Sequence, residues 1–482
     1  MERMEGVDAG HLYMETPTQH MHTLKIALLD PGGRFDMALF TRELVGRLHH
    51  MPPLQRRVVP VPFALNHPLW VHDHDLDPAR HVFHHRLPRG AGMPELEALI
   101  GEVASTPLDR GVPLWEVHVA EGLADGRVGI IGKLHHAVAD GGASNALIGN
   151  VSDQYGPGTP APEIAREPLP GRVAQVRMAL ADAIRQMWTL PGILLRTASA
   201  LAGLVRHKRR STVRTPVPLV DPPRTPFNDS LSARRIFATA TVQLADLKRI
   251  SKHYEVTLND VVLAVVAGAL REWLGGQGTL PARSLTAGVP VGTDRGDDPP
   301  RLHGNRVSTM FTTLATDVDD PVARLREISK VTQESKQVQR LLGLDMLREW
   351  VQFAPPAPFS ALLDLYSRRG TAGKHRPPFN LIVSNVRGPG EDVTFSGVPL
   401  TDLYSVGPLI EGIGLNITAW SYAGRLNFSL LSCPDLVDDL PGLAAQIPRA
   451  AQELLMTTVD DQASADAPRA GATAVEAEGS PT

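Results

Sequence analysis

The segment Lys133-Leu134-His135-His136-Ala137-Val138-Ala139-Asp140-Gly141-Gly142 sets an Asp-Gly pair four residues after the second of two adjacent histidines. An imidazole with an ordinary pKa of about 6.5 can take a proton at neutral pH and return it. An alcohol is barely ionised there, so a positioned base is what makes its hydroxyl a useful nucleophile. That hydroxyl can attack a thioester, and the thiolate leaves readily because thiols are far more acidic than alcohols. Asp140 can fix the loop that carries the base, and Gly141 beside it lets a ligand come close to the backbone. The competing explanation for any histidine pair is an imidazole satisfied inside the fold, and His49-His50 and His84-His85 are such pairs. The Asp-Gly at fixed spacing sets His135-His136 apart.

A second cluster, His72-Asp73-His74-Asp75-Leu76-Asp77 followed by His81, His84 and His85, holds the ligand types of a zinc or two-metal site. On a strand, however, alternate residues of 70–75 face opposite sides and divide the ligands. Polar alternation on an exposed strand explains the same letters, and no metal is expected. The stretches AGVPVGTDRGDDPP (287–300) and GPG (388–390) read as turns, since neither precedes a helix with the lysine of a phosphate loop. No Gly-x-Ser-x-Gly elbow occurs, which argues against a serine hydrolase.

The elements around these residues alternate between strand-like and helix-like patterns. Segments 22–30, 116–121 and 129–134 read as strands, and 37–50 and 96–105 as helices. The last of those strands is apolar and ends at the histidine pair. The Pro-rich GPGTPAPEIAREPLPG marks a domain edge, residues 171–210 read as amphipathic helix, and TPVPLVDPPRTPFND closes this connecting region. Beyond it, 257–274 is a strong helix with Thr257 or Asn259 as N-cap. Strands follow at 289–291, 307–313, 380–385, 415–421 and 426–432. The final residues are small and polar and cannot bury a core, so 458–482 is expected to be a disordered tail.

With 482 residues, 43% hydrophobic and 21% charged, the composition is globular and the length suggests two or three domains. A net charge of −4 gives no footprint for nucleic acid. The single cysteine, Cys433, excludes an intrachain disulfide and fits a reducing compartment. The first residues contain no apolar run of signal-peptide length. A cytoplasmic protein is expected. Residues 187–205 come nearest to the about 20 apolar residues of a membrane span, but Pro191 and Arg196 interrupt them and Arg206, His207, Lys208, Arg209 and Arg210 follow. An apolar helix with a basic end can lie on an anionic membrane surface; a linker helix packed on a domain is the alternative.

In order along the chain, the motifs resemble the bacterial wax ester synthase/diacylglycerol acyltransferase family. His-His-x-x-x-Asp-Gly alone is shared more widely, with chloramphenicol acetyltransferase-like enzymes and peptide-synthetase condensation domains. The narrower likeness rests on Leu12-Tyr13-Met14-Glu15-Thr16-Pro17, Pro107-Leu108-Asp109 and Pro113-Leu114-Trp115-Glu116 before the histidines. After them it rests on Asn259-Asp260, Gly304-Asn305-Arg306, Ser384-Asn385-Val386-Arg387-Gly388-Pro389 and Gly414-Leu415-Asn416-Ile417. The opening departs from the family's at Gly6-Val7-Asp8-Ala9-Gly10.

The resemblance implies an α/β fold of two chloramphenicol acetyltransferase-like domains joined by a helical linker, with the active-site tunnel between them. The domains would be 1–165, carrying the histidine motif, and 229–457, with a Pro-rich and helical linker at 166–228. It implies an O-acyltransferase that moves a long-chain fatty acyl group from acyl-CoA to diacylglycerol, giving triacylglycerol, or to long-chain alcohols, giving wax esters. Another lipid or natural-product alcohol as acceptor, or a non-catalytic lipid-binding paralogue, are the alternatives. By carry-over His136 is the general base, His135 supports it, and Asp140 is structural. Trp115, Asn259 and Asp260 shape the site. Ser384 and Asn385 are candidates for oxyanion stabilisation, with turn capping before Gly388-Pro389 as the competing role. No bound cofactor and no metal are implied; acyl-CoA is a co-substrate, and the partners are a lipid alcohol and a membrane or lipid-droplet surface. Acceptor identity, chain length and oligomeric state depend on surfaces spread over both domains.

Overall fold

A computed structural model describes residues 1–155, 169–293, 301–343, 346–390 and 392–466. The first unit runs through β1 (Glu2–Arg3), α1 (Gly6–Met14), β2 (His22–Leu29), α2 (Met37–Arg47), β3 (Arg56–Val59) and β4 (Leu69–His72). It continues with β5 (Val82–Ala91), α3 (Met93–Ser105), β6 (Trp115–Leu123), β7 (Val128–His135) and α4 (Gly141–Val151). The long α5 (Arg172–Arg210) connects it to β8 (Ile236–Gln243), α6 (Leu244–His253), α7 (Leu258–Gly276), β9 (Thr286–Gly292) and β10 (Val307–Thr313). Then come α8 (Pro321–Leu342), α9 (Met346–Val351), α10 (Pro356–Arg368), β11 (Leu381–Arg387), β12 (Thr394–Phe395) and β13 (Val398–Val406). The chain closes with β14 (Leu415–Tyr422), β15 (Arg425–Ser432) and α11 (Leu440–Asp466).

Two six-stranded sheets organise the molecule, in the orders β12-β13-β2-β7-β6-β5 and β10-β9-β11-β14-β15-β8, beside a small β1-β4-β3 sheet. Alternation along β2 shows why the first sheet is covered on both faces. Leu24, Ile26 and Leu28 enter the core shared with α3, whereas Ala27 and Leu29 enter the core that α2 and α4 close. The second core is built on α7, whose apolar run Val261–Leu270 is buried almost throughout. Thr257 caps that helix: its hydroxyl accepts from the Asp260 amide (3.3 Å) and the Asp260 carboxylate accepts from the Thr257 amide (3.0 Å). Asn259 lies inside the helix, so it is not the cap.

Three boundaries differ from the expectation. Residues 394–406 leave the second unit and extend the first sheet, pairing Leu403 with Ala27 and Tyr404 with Ile26. The segment 229–457 is therefore not one self-contained body. A free hydrogen-bonding edge on β2 selects this strand, and no local pattern announces so distant a partner. Residues 458–466, expected to belong to a disordered tail, continue α11 to Asp466; propagating a formed helix costs little once Thr458 is buried against the unit, and 467–482 lie outside the described residues. The strand expected at 289–291 is longer, 286–292, and forms β9 paired with β10, so the first part of the 287–300 stretch also read as a turn is extended, while 294–300 and the Pro-rich 156–168 lie outside the described residues.

Candidate active site

β7 ends at His135, opposite His22 of β2, and the chain then turns through 136–138 into α4. Both flanking chains pin the turn: the His135 amide donates to the Leu114 carbonyl (3.0 Å) and the His136 amide to that of Met21 (2.8 Å). The buried His135 ring accepts the Ala137 amide on Nδ1 (3.0 Å). Its proton is therefore on Nε2, which faces Glu15 at 3.9 Å. Desolvation holds this imidazole well below the usual histidine range, with the nearby Arg110 and His136 acting in the same direction. His135 shapes the turn.

His136 is half-buried and differs in its partners. Its Nδ1 lies 2.9 Å from Oδ1 of Asn305. The Asn305 amide nitrogen donates to the His136 carbonyl (2.7 Å) and to Asp8 Oδ1 (2.8 Å). With both amide hydrogens committed to acceptors, Oδ1 must accept, so the His136 proton sits on Nδ1. The lone pair is then on Nε2, the arrangement a general base requires. The His11 ring stacks on His136 at 4.5 Å, 16° from parallel. Desolvation, helped by the charge of Lys25, lowers the His136 pKa against the opposing pull of Asp140 and Asn305. The ring is neutral at pH 7. Burial raises Asp8 to about 7, a shift the Asn305 hydrogen bond opposes.

Asp140 does not touch the imidazole. Oδ1 accepts from the Ala143 amide (2.9 Å), capping α4. Oδ2 accepts from the Arg301 guanidinium (2.8 Å) and the Arg306 amide (2.7 Å). Arg301 also donates to the carbonyls of His303 and Gly304 (2.9 and 2.8 Å). Gly304 in turn donates to the Val138 carbonyl (2.8 Å). One carboxylate thus fastens the motif loop of the first unit to the 301–306 loop of the second, and Asn305 sits on the loop so fastened.

Trp115 is buried, donates to the Leu54 carbonyl (2.7 Å) and stacks on His81 at 4.2 Å. It lines a mostly apolar slot of ≈ 140 Å³ between the first sheet and α2 and α4. Along β7 the slot runs from Leu134, two residues before His136, to Ile130, and α4 covers it with Ser144, Leu147, Ile148 and Val151. Gly141 opens α4 close to β11: a Cβ there would lie 3.7 Å from Val386, an ordinary contact, so packing alone does not demand glycine.

Ser384 and Asn385 stand on β11 just before Val386, paired in parallel with Thr418 and Ala419. They belong to a continuous strand, so the turn-capping role does not apply. At Gly388 a side chain would overlap the Ser421 carbonyl and the Trp420 indole. Asp260 is fully buried and accepts from Ser329 (3.1 Å) and Thr332 (2.6 Å) of α8. Among the described residues neither it nor the half-buried Asn259 is hydrogen-bonded to His136.

The other histidine cluster disperses. β4 stops at His72, Asp73 accepts the Asp75 amide (3.2 Å), and Asp77 caps a short 3₁₀ turn. A strand thus holds the two ends of the cluster, His72 on β4 and His84 and His85 on β5, while tight Asx turns take 73–77 off the sheet. His81 faces the Trp115 carbonyl, His84 pairs with Glu121 and His85 with His118. Among the described residues no three metal-ligating side chains come together.

Asn305 stood within a motif block and Asp8 within the divergent opening, neither with an assigned role, and Arg301 and His11 had no signal at all. Each acts on His136 or Asp140 from more than 100 residues away in sequence, so only the folded chain brings them together.

The model of the wax ester synthase/diacylglycerol acyltransferase catalytic domain matches residues 4–262, and that of the family's C-terminal domain matches residues 303–455. A Mycobacterium tuberculosis protein named as a diacylglycerol O-acyltransferase is 38% identical over 483 residues, covering 97% of this chain and 100% of its own. Another from the same species is 32% identical over 466 residues, covering 94% and 96%. Among solved structures, the wax ester synthase/diacylglycerol acyltransferase of Marinobacter aquaeolei VT8 superposes with a TM-score of 0.67 at 24% identity, covering 95% of this chain and 100% of that one. The first condensation domain of the CDA synthetase gives 0.56 at 16% identity, covering 94% and 96%. The fold is thus the one shared with condensation domains. With both family domains matched in order around a histidine motif locked between two sheets, this chain belongs to the wax ester synthase/diacylglycerol acyltransferase family.

Proposed function

We propose that the protein transfers a fatty acyl group from acyl-CoA to the hydroxyl of diacylglycerol, with long-chain alcohols as a second acceptor class. The observation that carries this is the tautomer of His136, fixed by Asn305 so that Nε2 is free to take a proton. The acceptor O–H gives its proton to Nε2 as its oxygen bonds to the thioester carbonyl carbon. The tetrahedral intermediate then expels the thiolate, and the imidazolium returns the proton to sulfur. Ester and free CoA thiol result, and the base is restored. The Nδ1–H bond to Asn305 persists in both protonation states, so the ring need not move. The apolar slot holds the acyl chain, and Ser384 and Asn385 remain the candidates for the oxyanion.

α5 supports action at a lipid surface. Trp188 and Leu195 are 81% and 73% exposed, with Leu180, Ile184, Met187, Leu194, Leu201 and Val205 also outward, ahead of the basic 206–210. Its opposite side packs along the protein, through Ile193 and a hydrogen bond from Trp350 to Thr197. A helix held this way lies on a bilayer more readily than it crosses one. We therefore place the enzyme on the cytoplasmic membrane face or on lipid droplets.

The test is thiol release from palmitoyl-CoA with and without diacylglycerol or 1-hexadecanol. Release that depends on acceptor is the expected result; no acceptor-dependent release with either alcohol would overturn the assignment.

A further inference from the structure

The slot beside the histidine motif is lined almost wholly by carbon, and two of its polar side chains, Ser144 and Lys25, keep hydrogen-bonding capacity to spare. Ser144 is 2% exposed, and among the described residues its hydroxyl has no hydrogen-bond partner. It sits one turn into α4, where its amide donates to the Asp140 carbonyl (2.8 Å), so it belongs to the motif end of the slot. Lys25 is the second. It stands on β2 opposite Gly132, roughly 13 Å down the slot from His136 at the rise of a strand. Its ammonium donates to Ser405 Oγ (2.6 Å) and lies 4.6 Å over the Trp420 ring. Among the described residues it forms no ion pair, whereas Lys133 and Glu116, also at the slot, satisfy each other at 3.0 Å. Burial pushes Lys25 down to about 7, where an amine both donates and accepts.

A pocket meant for hydrocarbon alone gains nothing from either group. Leaving a buried hydroxyl unsatisfied costs stability, and a lysine in an apolar wall costs more. A ligand that supplies an oxygen recovers that cost on binding, and it discriminates against analogues that lack the oxygen. We propose that this slot selects an acyl chain bearing a hydroxyl, recognised by Ser144 near the thioester or by Lys25 further along the chain. A hydroxyl suits both, because it can donate to Ser144 and accept from Lys25 Nζ. A carboxylate would bring a full charge into a wall that is otherwise apolar, at greater desolvation cost. The inference rests on the acyl-CoA assignment above and refines its substrate class.

The experiment compares palmitoyl-CoA with matched hydroxypalmitoyl-CoA thioesters, hydroxylated at carbon 3 or at mid-chain, at saturating 1-hexadecanol and at saturating diacylglycerol. In the wild type, kcat/KM for at least one hydroxyacyl thioester should exceed that for palmitoyl-CoA by on the order of 10-fold, the worth of a hydrogen bond to a charged or otherwise unsatisfied group. Ser144→Ala should bring the 3-hydroxy ratio toward one, and Lys25→Met the mid-chain ratio. The plain chain serves as the internal control, so a merely structural role would move numerator and denominator together. Ser144→Ala is the safer variant for folding, since alanine favours a helix. Equal or lower kcat/KM for every hydroxyacyl thioester overturns the proposal, as does a preference that survives both substitutions. Failure to turn over any acyl-CoA with either alcohol would instead remove the acyltransferase assignment beneath it.

Discussion

Helices α4 and α7 each have a buried aspartate at their first turn, Asp140 as the cap of one and Asp260 as the third residue of the other, and the two differ in their partners. Asp140 caps α4 with one oxygen and gives the other to Arg301 and the Arg306 amide, across the boundary between the two sheets. Asp260 completes the capping box of α7 and spends its remaining bonds on Ser329 and Thr332 of its own unit. The local device is the same: a carboxylate satisfying free amides at a positively polarised helix end. The difference lies in where the spare oxygen goes. Through Asp140 the loop that carries Asn305 is held against the motif, and Asn305 holds His136. Asp260 holds only packing. A shared sequence feature, an acid at the first turn of an apolar helix, therefore carries no role until its far partner is known.

Three experiments would break or sharpen this contrast. The largest effect belongs to the base beside α4: His136→Ala should lower kcat by roughly 10²–10⁴-fold with the fold intact, and His135→Ala should cost less. Because the working form of His136 is neutral and its pKa lies below 6.5, kcat/KM should be flat through neutrality and fall only on the acid side of that value. Equal losses at the two histidines, or an acid limb above pH 7, would refute the assignment.

Next come the aspartates themselves. Asp140→Asn removes the charge facing Arg301; disrupting a buried pair costs about 3–5 kcal/mol, and the other carbonyl partners of Arg301 place this case toward the lower end. Melting temperature and kcat should fall together. Asp260→Asn should cost about 1–3 kcal/mol through weakened hydrogen bonds, with kcat per folded molecule kept. A thermally normal Asp140→Asn enzyme with His136-like loss of rate would make Asp140 a proton-relay partner of His136 rather than a clamp. An Asp260→Asn enzyme of normal stability but low kcat would move α7 into the site.

The smallest effect concerns α5, outside both helix starts. Flotation with vesicles should require anionic lipid and weaken as salt rises, since its basic end contributes through a screened field. Binding that ignores salt, or none, would assign the exposed apolar face to something other than an anionic bilayer.

The strand into His135, the long helix after Thr257 and the amphipathic α5 were legible because periodicity and capping are local, set by letters within a few residues. The histidine pair with its Asp-Gly was legible because residue type and spacing carry its chemistry. Other features were not. Residues 394–406 extend the first sheet because β2 offers them an edge, which is a property of the assembled sheet. The Asx turns at Asp73 and Asp77 replaced the strand that alternation suggested for 70–75 beyond His72.

The sequence by itself determined the α/β class, the family and the histidine motif that the proposed mechanism uses. Tertiary structure alone decided which nitrogen of His136 is free, because that depends on an amide 169 residues away whose own hydrogens are committed to Asp8 and to the motif backbone. It also decided that Asp140 bonds across to the 301–306 loop while Asp260 bonds to α8 of its own unit. Hydrogen-bond direction is fixed by the full set of donors and acceptors around a group, and that set exists only once distant segments have met.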